Sequence, residues 1–384
     1  MRRGFNVFVG NPPFLGGKRI STILGDPYRD WLAAIHEDAS SNTDLVAHFF
    51  RRGFDLLATP GALGFIATNT IAQGDTRLGG LRAIVARGGR IFGAERRIRW
   101  PGLAVVTISV VRVYKGELPA TTAITMDGHR VDRITSFLFN RGGDDAPRPL
   151  ARDWPRVYIG TFVRGSGFLF ADGNEDASPI REMRRLLDDS RNAARLRPYI
   201  GGEDINSHPA HAHCRYVIDF SGLEEREARS WPALMEVVER RVRPFRERLG
   251  DGREDTAHKK NWWRFGQERP GLYHSIAGLS CVTAVARVTT HLGFVRLPTH
   301  LVYSDQVVVI NSDKFSTLAT LQSRIHEGWA RFFSSSLVDA LRYAPSDCFD
   351  TFPFPPLHEV NPVLEAVGRA YDEFRSALML KSDE

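Results

Sequence analysis

The 384-residue sequence predicts an α/β protein in which an incomplete doubly wound sheet is followed by a mixed α+β region. Two observations carry this prediction. Over roughly the first 115 residues, short apolar runs alternate with segments that carry apolar residues at helical spacing. After about residue 156, short strands and helices follow one another without a regular pattern. The first region is therefore expected to be an open, mostly parallel sheet whose last part turns antiparallel.

Hydrophobic periodicity locates the elements of both regions. In the first region, helices are predicted at Asp26–His36, Asp44–Ala58 and Leu78–Ala86, and strands at Phe5–Val9, Ala62–Thr68, Arg90–Ala94 and Ala104–Tyr114. In the second region, strands are predicted at Arg156–Val163, Arg215–Phe220, Ser280–Val288 and Gln306–Ile310, and helices at Pro179–Leu187, Trp231–Leu249, Phe315–Phe333 and Pro362–Leu380. We expect domains over residues 1–118 and 156–356, a linker over 119–155 and a C-terminal helix over 357–384.

Composition excludes several classes of protein. No apolar run approaches the roughly 18 residues that cross a membrane. The three cysteines, Cys214, Cys281 and Cys348, form no CxxC pair, which argues against a zinc site or a disulfide framework and indicates a cytoplasmic protein. The net charge of +6 comes from an excess of arginine, a residue suited to phosphates and guanine edges. Nucleic acid is therefore a reasonable partner.

The stretch VFVGNPPFLGGK, Val7–Lys18, places an Asn-Pro-Pro-Phe tetrad at the end of the first strand. This pattern is that of DNA amino-methyltransferases, and its chemistry suits them. The side-chain oxygen of Asn11 and the carbonyl of Pro12 can accept hydrogen bonds from an exocyclic NH₂ and aim its lone pair at a methyl donor. Pro13 keeps the turn rigid, and Phe14 can stack on a base swung out of the duplex.

A strand that simply ends in a rigid turn is the structural alternative for this tetrad. Its four residue types are expected to coincide by chance in under about 1% of chains of this length. The catalytic interpretation is therefore preferred, with Asn11, Pro12, Pro13 and Phe14 as candidate catalytic residues. The chemistry alone serves either adenine or cytosine.

Further blocks extend along nearly the whole chain and resemble the adenine-specific DNA methyltransferases of fused restriction–modification enzymes. They are VGNPPFLGGK, SNTDLVAHFFRRGFDLLATPGALGFIATNT, QGDTR, RWPG, LRPYIGGEDINS, NWWRFGQERPGLY, SDQVVVI and LRYAPSDCFDTFPFP. The resemblance implies a partial class I (Rossmann-like) methyltransferase sheet, S-adenosyl-L-methionine as methyl donor, and transfer to N6 of a flipped-out adenine. It also implies a target-recognition domain over 156–356 that binds double-stranded DNA.

Several cations are candidates for DNA contact. They are Lys18, Arg240, Arg243, Lys259, Lys260 and Arg264. For the predicted helix Trp231–Leu249, which carries Arg240 and Arg243, a salt-bridged face exposed to solvent is an equal alternative to DNA contact. The pair Trp262-Trp263 is more typical of a hydrophobic core than of a platform on which bases stack. The His208, His211 and His213 pattern resembles a metal-binding spacing, but a surface loop is preferred, and no metal site is predicted.

The Gly-rich cofactor turn typical of this family is not found in the ten residues before Asn11. The downstream candidate FVRGSG, Phe162–Gly167, is followed by a strand-like run and a polar loop, so a simple strand turn is preferred. Three hypotheses follow: a methyltransferase whose cofactor-binding half is supplied by another polypeptide or has been lost from this chain, a non-catalytic DNA-recognition module, or a truncated remnant. An unpaired edge at Phe5–Val9 is expected in each case. No nuclease signature of the Asp…Glu-x-Lys kind is found in a plausible strand context.

Overall fold

A computed structural model describes residues 4–100, 106–150, 156–337 and 340–381. The chain divides into two compact units. Unit 1 comprises the described residues of 1–147 and 333–337, and unit 2 comprises those of 148–332 and 340–381. Among the described residues, no helix has the length and apolar character needed to cross a membrane.

Unit 1 contains a six-stranded sheet in the order β1-β2-β4-β3-β5-β6. Its strands are β1 Phe5–Gly10, β2 Leu57–Thr68, β3 Gly89–Arg99, β4 Thr107–Lys115, β5 Thr125–Met126 and β6 His129–Arg130. Its helices are α1 Gly17–Leu24, α2 Asp26–Ile35, α3 Leu45–Leu56, α4 Gly74–Arg77 and α5 Ala83–Ala86, with a π-helical turn at Leu78–Arg82 between the last two. The predicted strands and helices of this region are therefore confirmed, except that Ala104 and Val105 of the last strand, like Pro101 and Gly102 of RWPG, lie outside the described residues.

The expectation of a mostly parallel sheet is wrong. β1 pairs with β2 in parallel and β3 with β5 in parallel, whereas β2–β4, β4–β3 and β5–β6 are antiparallel. Residues 100–106 join β3 to β4, and a connection this short cannot make the crossover that a parallel pair requires. β4 therefore returns antiparallel between β2 and β3.

The predicted linker over 119–155 also differs from the structure. β5 and β6 extend the sheet of unit 1, and Met126, Ile134 and Leu138 are buried in its core. The first part of this segment is thus an element of unit 1, because its apolar side chains add to the same hydrophobic core.

The core of unit 1 lies between one face of the sheet and α3. The Asp44 carboxylate caps α3 by accepting a hydrogen bond from the Val46 amide, and Phe50 of α3 packs edge-on against Phe65 of β2. The opposite face of the sheet is apolar and open to solvent. Val7 and Val9 of the edge strand β1 are 61% and 85% exposed. They border a shallow apolar depression of about 420 Å³ that continues over β2 and β4.

Two buried histidines connect α2 to α3. The Nδ1 atoms of His36 and His48 are 2.8 Å apart, so one ring donates a hydrogen bond to the other. Burial lowers the pKa of both rings to about 4, helped by the Arg51 charge at His36 and by His36 itself at His48.

Acidification is expected to destabilise unit 1 through this pair. The unfolded chain takes up protons at both histidines below about pH 6.5, and the folded chain does so only near pH 4. The free energy of unfolding should therefore fall between these pH values, by up to about 1.4 kcal/mol per pH unit for each histidine. Urea unfolding at pH 7.5, 6.0 and 5.0 measures this. The double variant His36→Leu/His48→Leu should show a shallower dependence, and equal slopes would contradict the assignment.

Unit 2 contains two four-stranded sheets, in the orders β14-β9-β10-β8 and β13-β11-β15-β7. Its strands are β7 Val157–Ile159, β8 Leu169–Phe170, β9 Leu196–Ile200, β10 Arg215–Ile218, β11 Cys281–Ala286, β12 Val288–Thr289, β13 Val295–Pro298, β14 Val302–Tyr303, β15 Val307–Ile310 and, after β16 Ser335–Leu337 of unit 1, β17 Ala340–Arg342. Its helices are α6 Ile180–Leu186, α7 Gly202–Ser207, α8 Glu225–Ala228, α9 Pro232–Arg241, α10 Arg243–Glu247, α11 Arg253–Lys260, α12 Pro270–Ile276, α13 Phe315–Gln322, α14 Arg324–Phe333, α15 Pro345–Cys348 and α16 Pro362–Lys381.

Two long helices predicted for this region are each divided in the structure. The segment Trp231–Leu249 forms α9 and α10, because Pro244 removes a backbone donor near their junction. The segment Phe315–Phe333 forms α13 and α14, with Ser323 in an extended conformation between them. The C-terminal helix is confirmed as α16, which packs on α13.

Candidate functional site

The Asn-Pro-Pro-Phe tetrad lies directly after the carboxyl end of β1. Gly10, the last residue of β1, is in register with Phe65 of the parallel strand β2. Asn11 and Pro13 are exposed, Pro12 is buried, and Phe14 is half-buried against the core of unit 1. The Asn11 side chain is therefore presented to solvent at the edge of the sheet where ligands of open α/β proteins bind.

Asp44 fixes the segment that follows the tetrad. Its Oδ1 accepts hydrogen bonds from the Leu15 amide at 3.1 Å and from the Val46 amide at 3.0 Å. The Leu45 amide in turn donates to the Leu15 carbonyl at 2.9 Å. Asp44 thus ties the tetrad to the start of α3. The position of Asp44 before a helix predicts only a helix cap. Its hydrogen bond to the Leu15 amide follows from the tertiary structure alone.

Polar side chains also follow β2. Because β1 and β2 are parallel, the residues after β2 lie at the same edge of the sheet as Asn11. The hydroxyls of Thr68 and Thr70 are 2.7 Å apart, and the Asn69 Oδ1 accepts a hydrogen bond from the buried Ser109 hydroxyl at 3.4 Å. This ordered polar rim includes Asn69 and Thr70, for which the sequence indicated no role.

The cations proposed for DNA contact fall into two groups. Lys18 in unit 1 and Lys260 in unit 2 are exposed. The other four bond to carboxylates of unit 2: Arg240 to Glu182 at 2.5 Å, Arg243 to Glu247 at 2.9 Å, Lys259 to Asp251 at 3.0 Å, and Arg264 to Glu268 through two nitrogens at 2.6 and 2.7 Å. Arg240 and Arg243 therefore fit the salt-bridged alternative stated for their helix, and Lys259 and Arg264 are ion-paired as well. Exposed pairs of this kind are weak.

The tryptophans and histidines singled out in the sequence have structural partners. Trp262 and Trp263 are buried, and the Trp263 indole donates to the Leu223 carbonyl at 3.0 Å. The Nδ1 of His208 accepts hydrogen bonds from the Ala210 and Ala212 amides, which orders its loop. Within the described ranges, no group of three potential metal ligands occurs.

The FVRGSG segment does not fit a nucleoside-binding turn. Its last two residues begin a 3₁₀ turn, Ser166–Phe168, that leads into the strand β8, whereas a cofactor turn leads into a helix. Its glycines allow close packing, since a Cβ on Gly167 would lie 2.6 Å from the Arg241 carbonyl oxygen. The segment is a structural turn, and we derive no cofactor site from it.

Known proteins are similar to both units. Residues 1–87 match the model of the Eco57I restriction-modification methylase, and residues 147–356 match that of the MmeI target recognition domain. DNA methyltransferase A of Bacillus subtilis (strain 168) is 23% identical over 381 residues, which are 95% of this chain and 41% of that protein. The structure of the Type IIL restriction-modification enzyme MmeI in complex with DNA has a TM-score of 0.76 at 19% identity, covering 98% of this chain and 50% of that one.

The two units are thus similar to different parts of restriction–modification enzymes, the first to a methylase and the second to a target recognition domain. The chain belongs to the MmeI target recognition domain family, whose model covers more than half of its residues. It spans half or less of the length of the relatives named above.

Proposed function

We propose that this chain carries the target-base site and the DNA-recognition domain of a site-specific DNA methyltransferase that modifies adenine N6. The observation that carries the proposal is the exposed Asn11 directly after β1, next to the rigid Pro12-Pro13 pair. The strand order β1-β2-β4-β3, with β4 antiparallel, supports the interpretation of unit 1 as part of a class I (Rossmann-like) methyltransferase sheet.

The residues of the tetrad hold and orient the target amine. The Asn11 Oδ1 and the Pro12 carbonyl accept the two hydrogens of the adenine N6 group, which draws the nitrogen toward tetrahedral geometry and localises its lone pair. Phe14 contacts the plane of the flipped base, and Asp44 keeps the segment after the tetrad in place. S-adenosyl-L-methionine is the methyl donor that this family implies.

We further propose that the donor site is completed by a segment outside residues 1–384, as a partner polypeptide or a further part of the enzyme. The edge strand β1 supports this, because Phe5, Val7 and Val9 are all more than half exposed. The apolar depression beside them extends over the open face of the sheet, and isolated proteins rarely leave such surface in water. A docked segment would pair with β1 and cover this face.

Methyl transfer by the assembled protein tests the proposal. S-adenosylmethionine is titrated calorimetrically into the purified chain, alone and after addition of the polypeptide encoded immediately upstream. Tritium transfer from the labelled cofactor to duplex DNA is then followed. We expect cofactor binding and adenine methylation only with the added polypeptide. Binding by the chain alone would reject the outside segment, and methylation of cytosine would reject the adenine assignment.

A further inference from the structure

The arginines of unit 2 differ in whether a carboxylate neutralises them. Arg240, Arg243 and Arg264 are each ion-paired. In contrast, Arg269 and Arg287 have no carboxylate oxygen within 4 Å among the described residues. Arg269 donates from Nε to the Gly160 carbonyl, and Arg287 from Nη1 to the Asp305 carbonyl, both at 3.4 Å. The charges of these two arginines are thus available to an incoming anion.

These two charges also lie close enough to affect each other. Burial lowers the pKa of Arg287, and repulsion from Arg342 and Arg269 adds to the effect, while the Asp305 carboxylate opposes it. Three positive side chains and the Asp305 carboxylate therefore lie close enough together to interact. An anion placed there would relieve their repulsion.

The turn Ser304–Gln306, between β14 and β15, lies in the middle of this cluster. The Arg287 amide donates to the Gln306 carbonyl at 2.8 Å, and a Cβ on Gly160 would overlap the carbonyl of Ser304. Asp305 also borders a cleft of about 360 Å³ whose other walls include Arg164 and Arg241. Gly160, the turn Ser304–Gln306 and the two arginines Arg269 and Arg287 thus form one surface within unit 2.

The side chains of this turn are suited to reading a base. Gln306 is exposed, and its Nε2 donates a hydrogen bond to the Asp305 Oδ2 at 3.0 Å. An ionised carboxylate only accepts, so it fixes which end of the amide faces it. Among the described residues, one amide hydrogen and the Oε1 of Gln306 have no hydrogen-bond partner, and this donor–acceptor pair matches N7 and N6 of adenine in the major groove.

We propose that the surface formed by Arg269, Arg287 and the turn Ser304–Gln306 is the place where unit 2 contacts its DNA target. The two arginines bind backbone phosphates, and Gln306, oriented by Asp305, reads a base edge. This inference rests on the proposed DNA-recognition function of unit 2 and deepens it by assigning the residues.

Salt-dependent binding tests the arginines. The probe is a 30-base-pair duplex pool with ten randomised central base pairs, and binding to the full chain is measured between 50 and 200 mM KCl. Arg269→Gln and Arg287→Gln should each reduce the slope of log K against log[KCl] by about one, whereas Arg287→Lys should keep it. Arg229→Gln is the matched control, because Arg229 is ion-paired to Glu225 and Glu239. Unchanged slopes in both glutamine variants would overturn the assignment.

Selection from the same pool tests Gln306. Sequences bound by the wild-type chain should share one base pair whose preference is relaxed about 5- to 150-fold in Gln306→Ala, with binding to unselected DNA retained. Identical preferences in wild type and variant would reject the base-reading role. If the wild-type chain binds no duplex at all, the proposed recognition function fails, and this inference fails with it. If it binds and the variants behave like wild type, only this inference fails.

Discussion

Asn11→Ala is expected to reduce methyl transfer to DNA by about 10²- to 10³-fold in the assembled enzyme. The variant removes one of the two acceptors proposed to hold the target amine, and the loss of one pre-positioned hydrogen-bonding group at a reacting centre has effects of this size. Because Asn11 is exposed, the free energy of unfolding should change by less than about 0.5 kcal/mol. Single-turnover transfer of labelled methyl groups measures the rate, and urea unfolding measures the stability.

Asn6→Ala is the matched control for this variant. Asn6 is an exposed asparagine of β1 and lies five positions before Asn11, which follows the strand. Its substitution should leave the transfer rate within about twofold of wild type. A wild-type rate in Asn11→Ala would remove the catalytic interpretation of the tetrad, whereas equal losses in both variants would point to a general defect of β1.

Gly368→Ala is expected to destabilise unit 2, although glycine-to-alanine changes inside helices normally stabilise by up to about 1 kcal/mol. Gly368 is the buried point where α16 crosses α13. A Cβ at this position would lie 2.7 Å from the carbonyl carbon of Phe315 and overlap the attached oxygen. Backbone cannot yield as a flexible side chain can, so α16 must move away, at a cost of about 1–3 kcal/mol.

Gly328→Ala is the comparison variant, because its expected change in stability has the opposite sign. Gly328 lies inside α14, and a Cβ there would meet no atom of the described residues within 4 Å outside its own helix backbone. This variant should be as stable as wild type or more stable by up to about 1 kcal/mol. Thermal unfolding of both variants checks the pair. Stabilisation by Gly368→Ala would show that α16 does not approach α13 as closely as the structure indicates.

Local sequence was sufficient for the features that depend on neighbouring residues. An apolar strand followed by Asn-Pro-Pro-Phe, the acidic cap of α3 and the amphipathic α16 are all read from short windows, because strand and helix periodicity is a local property. One of the ion pairs, Arg243–Glu247, also follows from spacing alone, since residues four apart are neighbours on a helix.

Other features depend on partners that are distant in the chain. Arg240 meets Glu182 across 58 residues, and Arg269 meets the Gly160 carbonyl across 109. The type of residue shows that an arginine is charged, but only its surroundings show whether that charge is already neutralised. Most of the cations that the sequence offers for DNA contact are ion-paired for this reason, whereas nothing in the local sequence distinguishes Arg269 and Arg287.

The Asn-Pro-Pro-Phe tetrad, the two-region organisation and most elements were thus present in the order of residues. The antiparallel position of β4, the role of Asp44 beside the tetrad and the assembly of the arginine surface around the Ser304–Gln306 turn came only with the tertiary structure. Each of these brings together groups that are remote in sequence. Such long-range contacts are determined by strand pairing and by the burial of a shared core, and no local sequence pattern encodes them.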